Sequence, residues 1–488
     1  MLSNVKFGNS LLRLFRFNSV RQLNSIQAAN VDYFKSVLGE NRVKQTDLEK
    51  YNRDWLGLHE GKSSLTLVPS TTEDVSKILS YCNDHRLQLV VQGGNTSLVA
   101  GSVPQDDEII ISMEAMNKII EFNDTTGVLT CQPGVILETA ESFVNEKGYM
   151  MPYDLGAKGS CHVGGNIATN AGGIRYVRYG SLHGSVLGLE AVKADGTVLN
   201  MMSTLRKDNT GYDLKQLFIG SEGTLGVITK ASILCPVKPI DKVVALLGVP
   251  SYEASVKLLK IIRSRFVAYL SAYELMDQTT MDSVHINLHL EPPFSAPFYV
   301  LFEISIFPGS SEEVIRDNLT NFLDTMISDE GIVNDAVLST DLTSYNKLWA
   351  MREQIMIAIK AEGEALSYDV SLEHKDYYRI VDIMREHLAN KKDLIRVSGH
   401  GHLADNNLHL AISAKSFTSD EIKSIETLLH EWVGERNGSV SAEHGLGMKK
   451  RHLIYYSKQR EVVDLMKQLK QLFDPNNILN PKKLLPDN

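Results

Sequence analysis

Three short pieces in the second half of the chain carry residue types that can do chemistry: Trp349-Ala350-Met351-Arg352-Glu353, Gly399-His400-Gly401-His402-Leu403-Ala404-Asp405-Asn406-Asn407-Leu408-His409, and Ser441-Ala442-Glu443-His444-Gly445-Leu446-Gly447. Asp405-Asn406-Asn407 reads as a turn, so His402 ends one strand and His409 lies on the next. Such a hairpin can bring both imidazoles to one point. With the Glu443 carboxylate they make a three-ligand set that leaves one position open. The set suits zinc, with manganese and iron as alternatives. The spacing alone is weak, because two histidines seven apart are more often incidental than paired. Glu443 and His444 are neighbours and cannot face one way on a strand, but a glycine-bounded turn lets them share a site.

A different chemistry is written at residues 156–173, GAKGSCHVGGNIATNAGG. Six of these eighteen residues are glycine, so the backbone can turn at positive φ and let a ligand approach its amides. Successive bare amides form a concavity for an anion. No Asp or Glu occurs between Leu155 and Leu189, although acids outnumber bases 59 to 50 in the chain, and Lys158, Arg175 and Arg178 fall in that window. The combination suits a diphosphate. Val163, Ile167 and Ala168 among the glycines argue against a flexible linker. Gly93-Gly94-Asn95-Thr96-Ser97 follows a predicted strand, a place where amides can hold phosphate, and Gly220-Ser221-Glu222-Gly223-Thr224-Leu225-Gly226 repeats the composition. None of the three is GxGxxG, so a Rossmann nicotinamide site is not indicated.

More than one domain must position these pieces, since 488 residues exceed an ordinary domain. The chain is 43% hydrophobic and 22% charged, which reads as globular. A net charge of −9 argues against a nucleic-acid partner, and no apolar run reaches the ~18 residues of a membrane span. Cys82, Cys131, Cys161 and Cys235 form no CxxC pair, so free thiols are expected. Residues 31–60 read as helical, and Thr71-Thr72-Glu73-Asp74 reads as a helix start with acids in its first turn, the helix running to about His85. Short strands are expected near 65–69, 87–92, 109–112, 128–134 and 186–199, the last with an Asp195-Gly196 hairpin turn. Beyond Pro236 glycine is sparse. Amphipathic helices near 252–265 and 311–328 alternate there with strands such as FYVLFEISIF, and Arg352 falls on a helix. The first thirty residues carry Lys6, Arg13, Arg16 and Arg21 among leucines and phenylalanines, and the first acid is Asp32. This is the composition of a mitochondrial presequence.

GGNTS at 93–97, PYDLGAKGSCHVGGNIATNAGG at 152–173 and LFIGSEGTLGVIT at 217–229 together resemble the flavin domain of the vanillyl-alcohol-oxidase type of FAD oxidoreductases. The resemblance covers nearly everything from about residue 50 to the end. It implies an α+β fold: a two-subdomain, PCMH-type FAD-binding domain over 60–238, an α/β substrate domain over 240–440 that caps the flavin, and a C-terminal segment, 441–488, that returns to it. It implies FAD on Gly93, Gly94, Asn95 and Thr96 and on Gly164, Gly165, Asn166 and Thr169; non-covalent binding is expected because GGNTS and GSEGTLG hold neither His nor Cys, although Cys161-His162 sits in the middle stretch. Glu222, Gly223 and Ile228 of the third stretch and Asn480 of the tail would also touch the cofactor. His402, His409 and Glu443 match the family's metal ligands, with zinc first.

Within that family the pattern is nearest to enzymes of the mitochondrial matrix that oxidise D-2-hydroxyglutarate to 2-oxoglutarate and reduce electron-transfer flavoprotein. For such a reaction His444, with a pKa near working pH, suits the general base and touches substrate. Arg352 suits a clamp on a substrate carboxylate. Three positions depart from the pattern: Met356 stands where the family has Thr, Ser367 where it has Lys, and Ala411 where it has Asn. Two alternatives follow, a dehydrogenase for another D-2-hydroxy acid such as D-lactate, and a flavoprotein with weakened turnover.

Overall fold

The computed structural model describes residues 26–328 and 330–487. Most of the expected presequence, residues 1–25, lies outside the described residues. The helix Ala28–Leu38 begins within that span: Asn30 is buried and donates to Tyr81 Oη at 3.1 Å, and Val31, Phe34 and Leu38 enter the first core. This helix overlaps the last residues, 28–30, of the expected presequence. The helical reading of 31–60 is interrupted. Gly39, at φ +84, ends the helix, and Val43–Lys44 joins a sheet before a second, four-residue helix, Glu49–Asn52.

Three sheets follow in chain order. In the first, Thr66–Leu67, Ile109–Ser112 and Leu89–Gln92 pair in parallel, with Val43–Lys44 antiparallel at the edge. The helix Thr72–His85 opens with a capping box between Thr71 and Asp74 and packs Val75, Ile78, Leu79 and Cys82 into the same core. The second is antiparallel, in the order Ile119–Asn123, Val128–Cys131, Val227–Leu234, Val186–Val192, Val198–Met201, with the Asp195-Gly196 turn as expected.

The third sheet fills the second half of the chain and carries the chemistry. Its seven strands run Asp335–Leu338, Asp241–Val249, Phe298–Ile306, Leu270–Asp277, Leu394–His402, Asn407–Ala414 and Glu364–Ser371, and every neighbouring pair is antiparallel. Side chains alternate between its faces. Tyr273, Leu275, Phe302, Val397, Leu408 and Leu410 point one way, into the large core that includes helices Tyr252–Arg265 and Glu312–Ser328. Ala272, Met276, Leu301 and Ala411 point the other way, under helices Gln278–Leu288, Leu342–Glu353 and Ile355–Glu362. Among the described residues all four cysteines are free and buried, and no helix is long and apolar enough to cross a membrane.

Candidate active site

The second face of the large sheet holds a row of buried polar groups where alternation alone would put apolar ones. Register sets His400 opposite His409, His409 opposite Asp369, and His402 opposite Glu274. The turn between the histidine strands is Leu403–Asp405 with Asn406 in the left-handed region at φ +70. Gly401 has φ +151, and a Cβ there would stand 2.3 Å from the Asn407 carbonyl oxygen, so the hairpin closes only with glycine between His400 and His402.

Glu443 reaches this face from the loop at 441–447. Donor atoms of His402, His409 and Glu443 lie within 4.8 Å of one another. His409 Nε2 is 3.6 Å from Glu443 Oε1, and His402 Nε2 is 4.0 Å from Oε2. Ligand atoms set about 2 Å from a common centre stand roughly 3–4 Å apart, so the three side chains can hold a divalent cation with one side open. His444 Nε2 is 3.3 Å from Glu443 Oε1, and its Nδ1 is 3.3 Å from Asp369 Oδ2. Burial pulls the His444 pKa down, but these two carboxylates outweigh it and leave it above its ordinary value. Burial takes His409 down to about 4. His402, although burial opposes it, is raised to about 9 by Glu274.

Arg352 occupies the last turn of its helix, as expected. Its Nε donates to Glu274 Oε2 at 2.8 Å, and neither terminal nitrogen has a partner among the described residues. The three departing positions are neighbours of this site. Ser367 is opposite Ala411, one row along the face from Asp369 and His409, and Met356 lies in the first turn of the next helix, Ile355–Glu362, four residues past Arg352. Ser367 is exposed, Met356 is half-buried, and Ala411 is buried in the core with Ile355, Ala358 and Ile359.

Two residues at the centre of this arrangement were not singled out from sequence. Asp369 accepts the backbone amides of Glu443 and His444 at 3.2 and 3.1 Å, the Ser441 hydroxyl at 3.3 Å and Asn407 Nδ2 at 2.8 Å, and so fixes the turn that presents Glu443 and His444. Glu274 bridges His402 and Arg352. Its one legible sign was a carboxylate between Tyr273 and Leu275 in the apolar run LSAYELMD.

The three glycine stretches converge beside this face. A Cβ on Gly94 would lie 1.9 Å from the Ser160 carbonyl oxygen, so the first stretch is pressed against the second. The second is not all loop: Val163–Thr169 is a short helix, placing Gly164, Gly165, Asn166 and Thr169 on it. The third docks on that helix through Gly220 N to Ile167 O at 3.1 Å and Glu222 N to Ala168 O at 2.7 Å. The amides of Gly94, Asn95, Thr96, Ser97 and Gly165 donate to no acceptor among the described residues. A Cβ on Gly165 would meet nothing within 4 Å, and His162 Nδ1 is buried without a partner. Bare amides around open space fit the diphosphate of FAD.

The flanking bases expected to assist are engaged elsewhere. Arg175 is tied to Glu141 and Asp154, Arg178 donates to the Ala268 and Leu270 carbonyls, and Lys158 lies 3.5 Å from Asp154. The bases of a run without acids are therefore met by carboxylates that precede it in the chain and by backbone carbonyls. Other expected cofactor residues join the stretches together. The Glu222 carboxylate accepts the amides of Leu446 and Gly447 at 2.8 and 2.7 Å. The Asn480 side chain links Val91 N to Glu222 O, and Gly223, at φ +71, packs against it. Ile228 is in the core of the second sheet, and Thr169 Oγ1 donates to Gly165 O. A Cβ on Gly172 would stand 3.3 Å from Glu443 Oε2, so the glycine stretch borders the three-residue cluster and a side chain there would press on it.

Comparison with known proteins bears on the family and the fold. The model of the FAD binding domain matches residues 63–202, and that of the C-terminal domain of FAD linked oxidases matches 238–484. A mitochondrial D-2-hydroxyglutarate dehydrogenase of Danio rerio is 47% identical over 94% of this chain and 85% of its own. A Schizosaccharomyces pombe protein named, provisionally, a mitochondrial D-lactate dehydrogenase is 44% identical over 96% of this chain and 93% of its own. The solved structure of p-cresol methylhydroxylase with substrate bound superposes with a TM-score of 0.74 over 94% of this chain and 96% of that one, at 17% identity, and bears on the fold alone. On the two matched domains and the near-complete relatives, the chain belongs to the FAD-linked oxidase family that includes the D-2-hydroxyglutarate dehydrogenases, and it is an FAD-dependent oxidoreductase.

Proposed function

We propose that the protein oxidises D-2-hydroxyglutarate to 2-oxoglutarate in the mitochondrial matrix, with FAD held non-covalently and a divalent cation, zinc first, held by His402, His409 and Glu443. The observation that supports this is the position of Gly172, where a Cβ would stand 3.3 Å from Glu443 Oε2, so that the glycine stretch borders the cluster. The substrate class comes from the names of the relatives. Bound FAD supplies the acceptor for the C2 hydride, and a bound cation supplies polarisation of the substrate hydroxyl.

The chain's own residues supply the rest. Arg352 offers Nη1 and Nη2 to a substrate carboxylate while Glu274 holds its Nε. Asp369 keeps a proton on His444 Nδ1, which leaves Nε2, the atom facing Glu443 and the cluster, to take the hydroxyl proton. The oxidation then balances as one hydride to the flavin and one proton to His444. Electron-transfer flavoprotein is the proposed acceptor.

A second reading, D-lactate, is favoured by Met356, Ser367 and Ala411, which add no charge beside the site, and by the name of the fission-yeast relative. Anaerobic bleaching of the flavin band by a panel of D-2-hydroxy acids decides between them. D-2-hydroxyglutarate should give the highest kcat/KM. Preference for D-lactate would replace the substrate, and bleaching by neither would reject both.

A further inference from the structure

We propose that Glu274 is a positioning residue that couples the cation site to the substrate anchor, one carboxylate setting the geometry of both. The inference rests on the reading that His402 binds the cation and Arg352 binds substrate. Glu274 lies in the strand Leu270–Asp277, opposite His402 across the ladder, and is 1% exposed. Its oxygens are divided between two partners. Oε1 is 2.8 Å from His402 Nδ1, and Oε2 is 2.8 Å from Arg352 Nε. Neutralising a buried charge needs no such division, because an arginine meets a lone carboxylate best with two parallel hydrogen bonds.

Each half of the bridge has a consequence. With Nδ1 committed as a donor to Glu274, His402 must present Nε2 to the cluster, and Nε2 is the atom 4.0 Å from Glu443. With Nε committed, the guanidinium plane of Arg352 is set and its terminal nitrogens are left for substrate. The residue comes from a different strand and a distant part of the chain from both partners, so neither His402 nor Arg352 is oriented by its own element alone.

The test is Glu274→Gln in FAD-loaded protein stripped of metal. An amide accepts from one of the two donors and turns its NH2 toward the other. Zinc affinity, read without substrate by competition with a chromophoric chelator, should fall by roughly 10- to 100-fold. At saturating zinc the KM for D-2-hydroxyglutarate should stay raised by about tenfold, because Arg352 has lost its support. A purely structural role would lower the melting temperature without this split. Wild-type zinc affinity in the variant, or a KM restored by zinc, overturns the coupling. Should Glu274→Gln not fold, Glu274→Asp keeps the charge on a shorter arm and should move both readouts in the same direction by smaller factors. A wild-type value for either overturns the coupling. A wild-type protein that binds no zinc overturns the cation reading together with this one, whereas zinc binding that is indifferent to Glu274 overturns this one alone.

Discussion

His444 stands between two carboxylates that differ in kind. Asp369 is fully engaged with the chain's own donors, while Glu443 faces the histidine cluster. If His444 is the base, His444→Ala should keep its FAD and its metal yet slow flavin reduction by ~10²–10⁴-fold. Metal analysis and anaerobic rapid mixing read the two separately, and loss of metal in the variant would point to a ligand role instead. Ser367 offers a second test at this scale. It is exposed on an edge strand, opposite Ala411 and two residues from Asp369. Ser367→Lys adds a cation there and should raise kcat/KM on D-2-hydroxyglutarate by at least about tenfold, some 1.4 kcal/mol, without helping D-lactate. A loss on both substrates would show a pocket built for another acid. At this scale the hairpin and the turn that bring His402, His409, Glu443 and His444 together were legible, whereas the expected ligand set rested on the family resemblance, since the spacing alone is weak. Glu274 and Asp369 were not legible, because one carboxylate in an apolar strand acquires meaning only when register gives it an opposite number.

The helix Leu342–Glu353 carries Arg352 and is held by a second buried carboxylate, Glu303. Tyr345 Oη and Trp349 Nε1, the latter at 3.2 Å, donate to Glu303 Oε2, and Ser271 Oγ donates to Oε1 at 2.7 Å beside Lys242 Nζ at 3.3 Å. Burial works against the charge, yet Lys242, Tyr345 and Ser271 prevail and depress the Glu303 pKa. A carboxylate whose pKa is lower folded than unfolded stabilises the fold above the unfolded value, about 4.3, and that contribution is lost as pH falls through the folded one. Glu303→Gln should therefore destabilise the protein by about 3 kcal/mol at pH 7. Urea denaturation of both proteins should show the gap narrowing toward pH 4 and below, and an equal gap at both pH values would mean the charge is not the cause. Among the elements, the long helices and strands followed their hydrophobic period, and the helix start at residues 71–74 and the Asp195-Gly196 turn followed their chemistry. The helix Val163–Thr169 did not, because two of its seven residues are glycine, a poor helix former. It forms because Val163 and Ile167 bury in the second core and Gly164 fits against Pro133. Tertiary docking there overrides local preference.

Over the whole molecule, the site exists only where distant segments meet. Glu222 from the glycine stretches holds the loop that carries Glu443, Asn480 from the tail holds Glu222 to the first sheet, and Lys483 donates to the Ala100 and Val103 carbonyls. Domain order could be read from glycine density and the change after Pro236. These clasps could not, since each depends on a contact across more than two hundred residues. Their arrangement sets the cluster of His402, His409 and Glu443 beside the glycine stretches, and the central claim is that a cation proposed for the first and a flavin on the second act in one oxidation. The direct measurement is anaerobic flavin reduction by D-2-hydroxyglutarate before chelation, after dialysis against a chelator, and after zinc is returned. The chelated protein should keep its yellow FAD and its fold, judged by absorbance and circular dichroism. It should fail to bleach with substrate, and it should recover with zinc. Bleaching at the full rate by metal-free protein, or unfolding as the metal leaves, would contradict the account.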